Sequence, residues 1–280
     1  MTYIEILNGV SGYWRVLGHV LSHGQKRSPR GRDTLDAGQL SVVMHDTRGA
    51  LPLGVGRNLS RSIAAAEAVQ LVGAFSDPAL LTRASANFAK FLEPDTGRFH
   101  GAYGERIGNQ LSQAVTKLRR DRDTRQATIT LWDPWRDNQP DRRDYPCTVA
   151  LVFGVGGDRL DLSVFMRSQD VWWGAPYDWF QFSQLQRTVA QTLGVQPGRY
   201  IHTSVSTHIY LEFTEAAEAV IATDPPLPTD RTFQPDCIGR PGDDLGVTQA
   251  RARTLGYGHE PAELTDSERW YQDALASVVG

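Results

Sequence analysis

The chain has 280 residues, with 29 Lys plus Arg against 32 Asp plus Glu and a formal net charge of −3. That balance excludes a global basic field that would grip a nucleic-acid duplex or an anionic membrane, so an anionic ligand must be held by locally placed cations. Hydrophobic content of 40% suits a folded protein with a full core, and no apolar run reaches the roughly 18 residues a membrane helix needs.

The two cysteines, Cys147 and Cys237, form neither a disulfide framework nor a CxxC metal site, and no metal is expected. The N-terminal stretch carries Glu5 and lacks a basic region followed by an unbroken apolar run, so it does not read as a signal peptide. A reducing cytoplasm is the expected setting, where a free thiol can serve as a nucleophile. The basic residues are 26 Arg and 3 Lys, a bias associated with GC-rich genomes.

In chain order, Tyr13, Val16, Leu17, Val20 and Leu21 recur at helical spacing and predict a helix over 11–24, stopped by Gly24. QKRSPRGRDT, with Pro29 and Gly31, reads as a basic loop. A strand is predicted over 39–44, and helices over 58–73, 80–92 and 109–118. The first of these helices carries Glu67, and a Gly-rich segment follows the second. Three apolar runs, ATITLW, PCTVALVFGV and RLDLSVFMR, predict strands. A helix over 180–193 ends at Gly194, and alternation over 200–213 predicts one long strand. From about residue 224 the chain is rich in Pro, Asp and Gly and its elements are not assigned. The order is α+β, a mixed sheet packed with helices in one domain over 1–280, with no internal repeat.

Cys147 stands in Tyr-Pro-Cys-Thr at the head of an apolar strand, a position that more often holds a cysteine as a small buried hydrophobe. Its thiol becomes chemical only where cations or a helix N-terminus favour the thiolate. Arg125 and Arg167 are candidate cations, but nothing local puts them beside it. Composition and spacing stop at an α+β protein with a candidate thiol nucleophile.

The segment from Arg167 to Asp178, RSQDVWWGAPYD, resembles the thymidylate synthase motif R-S-x-D-x-x-x-G-x-P-x-N. Further likenesses follow in order along the chain. Pro146-Cys147 matches the family's PC, and Tyr103-Gly104 its YG. The run from Asp121 through Arg125 to Trp132-Asp133 is similar to its D-x-x-S-R-R…W-N stretch. Gly198 to His202, then His208 and Tyr210, look like its G-x-x-x-H…H-x-Y. The resemblance runs from about residue 11 to about 228, leaving 228–280 divergent.

That resemblance implies a thymidylate synthase-like fold, a homodimer formed through the sheet, and 5,10-methylenetetrahydrofolate as cosubstrate. A pyrimidine C5 is a poor nucleophile, and thiolate addition at C6 turns it into an enamine carbon able to take a one-carbon unit. By the resemblance Cys147 is that nucleophile, Glu67 organises water and relays protons, and Tyr103 assists loss of the C5 proton. Arg30, Arg167 and Ser168 match phosphate contacts, since guanidinium forks suit phosphate oxygens. Arg125 matches one of a pair that reaches across from a second subunit. The other position holds Gln126, for which Arg27 or Arg32 would compensate. His208 and Tyr210 match ribose contacts, and Asp170 and Gly174 match folate contacts.

The chain departs from the family at Asp178, where the motif has Asn. A carboxamide offers a donor and an acceptor suited to O4 and N3–H of uracil. A carboxylate accepts from the 4-amino group of cytosine and shares a proton with N3, the replacement seen in the superfamily's cytidylate hydroxymethylases. No Trp occurs in 80–92, where the synthases carry a shielding Trp, and the closing C-terminal segment is not recognisable. Both departures favour water over hydride at the reacting carbon. The expectation is 5-hydroxymethylation of a cytidine monophosphate, CMP slightly ahead of dCMP. The alternatives are reductive methylation of dUMP or dCMP, or a non-catalytic nucleotide- or RNA-binding homologue.

Overall fold

The alternating apolar runs in the middle of the chain pair with strands from its N-terminal part to build the main sheet. The computed structural model describes residues 2–54, 56–223, 234–258 and 264–279. Its strands are β1 (Thr2–Ile6), β2 (Gln25–Arg27), β3 (Thr34–Asp36), β4 (Leu40–Met44), β5 (Thr128–Thr130), β6 (Thr148–Gly156), β7 (Arg159–Met166), β8 (Gln169–Asp170), β9 (Gln196–Ser204) and β10 (Thr207–Tyr210). The helices are α1 (Gly9–His23), α2 (Arg61–Gly73), α3 (Pro78–Ala84), α4 (Tyr103–Ile107), α5 (Gln110–Arg120), α6 (Pro134–Asp137), α7 (Ala175–Leu193), α8 (Thr214–Ile221), α9 (Leu245–Gly256) and α10 (Asp266–Leu275).

The main sheet is mixed, in the order β1-β4-β9-β7-β6-β5, and a smaller one runs β2-β3-β10-β8. Period-two alternation assigns the faces of the main sheet. Leu160, Leu162, Val164 and Met166 of β7 are buried, as are Leu151 and Phe153 of β6. On the opposite face Val152 and Phe165 remain 38% and 42% exposed. The α+β class expected from the sequence is what the structure shows, with the small sheet as an addition.

Helix α7 lies on the buried face of the main sheet and is itself covered by α2 and α9. It begins five residues before the predicted start at 180, because Pro176 fits a first helical turn, which lacks partners for its N–H groups anyway. Asp178 therefore sits in that first turn. Gly194 ends the helix at φ 67, a conformation glycine adopts without strain. Ser60 caps α2 by accepting from Ile63 N at 3.2 Å. The run Ala64, Ala65, Ala66 and Ala68 is fully buried, and such small side chains let α2 approach α7 closely.

Three expectations are corrected. The predicted helix over 80–92 breaks at Ser85, whose N–H closes α3 on Leu81 O and whose hydroxyl accepts from Asn87 N to start a 3-10 turn, Ala86–Phe91. The single strand over 200–213 is two, because β9 ends at Ser204 in the main sheet and β10 restarts at Thr207 in the small one. The basic loop QKRSPRGRDT is mostly a hairpin, β2 and the start of β3 around a 3-10 turn at Pro29–Gly31.

The unassigned tail contains α9 and α10. Glu268 forms a capping box with Thr265 and is paired with Arg240 at 2.8 Å and Arg251 at 3.2 Å. Trp270 and Tyr271 pack on Phe180 at 5.4 and 6.4 Å between ring centroids. Ser62 of α2 donates to Ala274 O at 2.7 Å. The described part of the tail thus belongs to the core and buttresses the helices that carry Glu67 and Asp178.

Candidate active site

Cys147 immediately precedes β6, which pairs antiparallel with β7, so the end of β7 returns to it: Thr148 faces Met166, and Arg167 N donates to Cys147 O at 2.9 Å. The Arg167 guanidinium folds back over this turn. It donates to Pro146 O at 3.0 Å, to Tyr145 O at 3.3 Å and to Cys147 Sγ at 3.8 Å, with its face 5.5 Å from the Trp132 ring. Burial pushes the Cys147 thiol up to about 11; Arg167 opposes this, while Asp178, Asp144 and Asp170 add to it. Desolvation disfavours the thiolate, and one guanidinium only partly offsets it.

Asp178 is buried, and each of its oxygens accepts an amide N–H: Oδ1 from Gln181 Nε2 at 3.1 Å and Oδ2 from Gln169 Nε2 at 3.0 Å. Burial raises its carboxyl to about 7, with the two amides pulling it down and Asp170 pushing it up. Gln181 Nε2 also donates to Glu67 Oε2 at 3.3 Å. Burial, then the neighbouring Asp178, hold the Glu67 carboxyl well above the usual range. The Tyr103 hydroxyl accepts from Thr148 N at 3.2 Å, and its ring stacks on Phe182 at 5.7 Å. Burial and the charges of Asp178 and Cys147 raise its phenol. Cys147, Glu67, Tyr103 and Asp178, from four separate segments, form one group.

The small sheet extends the group. β8 and β10 pair in parallel with His208 opposite Asp170. Asp170 Oδ1 accepts from Trp172 N at 2.8 Å and Trp173 N at 3.2 Å, and burial raises its carboxyl. Gly174 has no room for a side chain: a Cβ would lie 2.8 Å from Gln169 Nε2 and 3.1 Å from Asp170 O. His208 Nδ1 is buried with no hydrogen-bond partner among the described residues. Ser168 is half-buried between Arg167 and β8. Tyr210 lies beneath the Arg32 guanidinium, 3.9 Å from the ring centroid.

The remaining expected cations make no hydrogen bond or ion pair with this group among the described residues. Arg30 is exposed in the β2–β3 turn at φ 53, ψ 33, without an ion pair among the described residues. Arg32 is paired with Glu212 at 2.5 Å and Arg27 with Asp36 at 3.6 Å, and both arginine side chains are more than half exposed. Arg125 lies beyond Ala127, whose carbonyl accepts from Phe153 N at 2.9 Å. At about 3.4 Å per residue along β6, that is roughly 20 Å from Cys147. No group of three or more His, Cys, Asp or Glu suited to a metal occurs among the described residues.

Gln169 and Gln181 were missed because glutamines carry no chemical signature of their own. Gln169 occupies the variable position of R-S-x-D, and Gln181 lies one turn past the motif's end. The clue available was that Gln169 lies between two motif positions and Gln181 one helical turn from Asp178. His202 was seen as a motif position, but its contact with Gln169 at 2.6 Å depends on β9 lying beside β7.

Residues 11–233 match the sequence model of the thymidylate synthase family. A deoxyuridylate hydroxymethyltransferase of Bacillus phage SP01 is 30% identical over 217 residues, 71% of this chain and 56% of that protein. A deoxyuridylate hydroxymethyltransferase of Pseudomonas phage M6 is 31% identical over 184 residues, 63% of this chain and 48% of that protein. The chain spans about half the length of the curated relatives it matches. With the family model covering most of its length, this chain belongs to the thymidylate synthase family.

Proposed function

We propose that the chain is a folate-dependent transferase that hydroxymethylates C5 of a cytidine monophosphate, CMP ahead of dCMP. The observation that carries this is the buried carboxyl of Asp178, in one electrostatic group with the Cys147 thiol, where the family motif has an amide. A carboxylate there accepts from the 4-amino group of cytosine and is repelled by O4 of uracil.

Cys147 adds through its sulfur to C6 of the base, with Arg167 as counter-charge. As the S–C6 bond forms, the C5–C6 π pair shifts toward N3 and the proton given up by the thiol is taken into the Asp178–N3 pair; burial, opposed by Arg167, disfavours a free thiolate before that. Sharing that proton between Asp178 and N3 weakens one of the negative charges that disfavour the thiolate. Glu67, whose carboxyl is pushed upward by burial and by Asp178, carries a proton to and from the ring, and Tyr103 helps take the C5 proton. Arg167, Ser168 and Arg30 hold the phosphate, and His208 and Tyr210 the ribose, the unpartnered His208 Nδ1 being suited to a hydroxyl.

The folate supplies the one-carbon unit. The residues fit such a group: Asp170 offers a carboxylate to amino and ring N–H groups, Gly174 lets the chain pack closely on Gln169 behind it, and Trp173, 47% exposed, gives a flat wall. The absence of a shielding Trp supports capture by water. In 80–92, Phe88 packs edge-on to Phe99 at 6.2 Å and Phe91 is 38% exposed. The hydroxymethyl product also agrees with the names of the phage relatives.

Those names favour a second reading, hydroxymethylation of dUMP. Incubation with CMP, dCMP, UMP or dUMP plus methylenetetrahydrofolate, followed by mass analysis, separates them. The expected product is a cytidylate heavier by CH2O; a gain of CH2, or turnover of dUMP ahead of both cytidylates, overturns the proposal.

We also propose that the active form is a homodimer through the face bearing Val152 and Phe165, with Arg125 serving the partner's phosphate site.

A further inference from the structure

Base selection in this site turns on a proton. A neutral carboxylic acid presents one donor and one acceptor, and by moving its proton between oxygens it can pair with either cytosine or uracil. An ionised carboxylate presents acceptors only. It accepts from the 4-amino group and, where the proton shared in the pair rests on N3, from N3–H as well, whereas O4 of uracil meets it only as a second acceptor, so an Asp in place of Asn discriminates only while something keeps it in the acceptor form.

Gln169 and Gln181 are placed to do that from opposite sides. The Gln169 amide spends its N–H bonds on Asp178 Oδ2 at 3.0 Å and the Asp170 carbonyl at 3.3 Å. The Gln181 amide spends its own on Asp178 Oδ1 at 3.1 Å and Glu67 Oε2 at 3.3 Å. Each carboxylate oxygen thus receives a donor inside a buried site, where such bonds favour the charged acceptor form.

The orientation of Gln169 is itself fixed by the fold. Its Oε1 lies 2.6 Å from His202 Nε2, and His202 Nδ1 lies 2.8 Å from the Tyr200 hydroxyl. Burial lowers the His202 imidazole to about 3, so the ring is neutral, with one donor and one acceptor nitrogen. The carboxylate end sets the direction of the whole chain. Gln169 must give its N–H to Asp178 and show its oxygen to His202, which donates from Nε2 and accepts at Nδ1 from Tyr200. Gly174 leaves the space the Gln169 amide occupies.

We propose that Gln169 and Gln181 are the specificity-determining positioning residues of this site, biasing Asp178 toward its acceptor form at the base and thereby disfavouring uracil. The inference rests on the proposal that Asp178 faces the base. The groups facing Asp178 are Glu67 of α2, Tyr103 of α4, Cys147 before β6, Asp170 of β8 and Tyr200 of β9, with His202 reaching it through Gln169. Among them the two amides and the burial of the site oppose one another.

The test uses two readouts. The Asp178 carboxyl is titrated by NMR in ligand-free protein carrying 13C-labelled aspartate, assigned with Asp178→Asn, in wild type, Gln169→Leu, Gln181→Leu and Tyr200→Phe. In parallel, kcat/KM for CMP against UMP and for dCMP against dUMP is followed from pH 6 to 9. Loss of either amide is expected to raise the midpoint by about one unit and to lower cytosine selectivity near neutrality about ten-fold. Tyr200→Phe should move both in the same direction by less, and it keeps the packing should a leucine variant not fold. Midpoints that stay put in the folded variants overturn the proposal. A midpoint that moves while selectivity does not also overturns it, and assigns the failure to the position of Asp178 relative to the base.

Discussion

Arg167 reaches the sulfur of Cys147 at 3.8 Å through the same nitrogen that donates to Tyr145 O at 3.3 Å. One guanidinium therefore both pins the turn before β6 and provides the positive charge that opposes burial at the thiol. Arg167→Gln should raise the thiol further and slow alkylation of Cys147 by iodoacetamide at pH 8 by about three- to ten-fold, since the rate follows the thiolate fraction. Asp178→Asn should speed it, because a negative neighbour that disfavours the thiolate is gone. Mass spectrometry of the Cys147 peptide over time gives both rates.

The same Asp178→Asn variant should reverse base preference. Turnover of cytidylate is expected to fall by about 10³- to 10⁴-fold, the scale set by mispairing a buried polar group, while turnover of uridylate rises. The measurement is kcat/KM for all four nucleotides; unchanged preference would remove Asp178 from base recognition.

Gly174→Ala should act through Gln169. Its Cβ would sit 2.8 Å from Gln169 Nε2 and 3.4 Å from Asp178 Oδ2, so the Gln169–Asp178 hydrogen bond must give way. A displacement of this size at a reacting group lowers kcat/KM by about 10²-fold. Thermal unfolding run beside the kinetics shows whether the loss is local.

A shared site predicts complementation between subunits. Cys147→Ser and Arg125→Ala should each be inactive alone, yet a mixture unfolded and refolded together should recover about a quarter of wild-type activity, since half the dimers carry one intact site. Phe165→Asp should shift the protein to monomer mass by light scattering and abolish activity. Activity in a monomer would place the phosphate site within one chain.

Glu268 offers a stability test away from the chemistry. Arg240, then the hydrogen bonds at Thr265, overcome its burial and hold its carboxyl below the usual range. A depressed folded-state value means the stabilisation is present above the ordinary carboxylate pKa and is lost as pH falls through the lower folded value. Glu268→Ala leaves Arg240 and Arg251 without their buried partner and should cost about 3 kcal/mol at neutral pH. Urea unfolding at pH 7 and at pH 3 should show the variant's deficit shrinking in acid.

Much of the fold was legible because its signals are local. The helix at 11–24, the strand near 40 and the three apolar runs follow from period and cap residues that need no distant partner. The failures have a common cause. Alternation over 200–213 is the same whether a strand stays in one sheet or crosses to another at Val205 and Ser206, and only the presence of two sheets divides it. The helices of the tail are stabilised by packing on α2 and Phe180, which a polar local sequence does not announce.

The sequence by itself determined the family motif, the thiol at position 147 and the exchange of an amide for a carboxyl at position 178, because these are facts of chemical identity and order. Only the tertiary structure decided what surrounds that carboxyl: two glutamine amides from different elements, one of them oriented through His202 and Tyr200. The physical reason is that a proton's position depends on burial and on donors brought from distant parts of the chain, and neither can be read from neighbours in sequence.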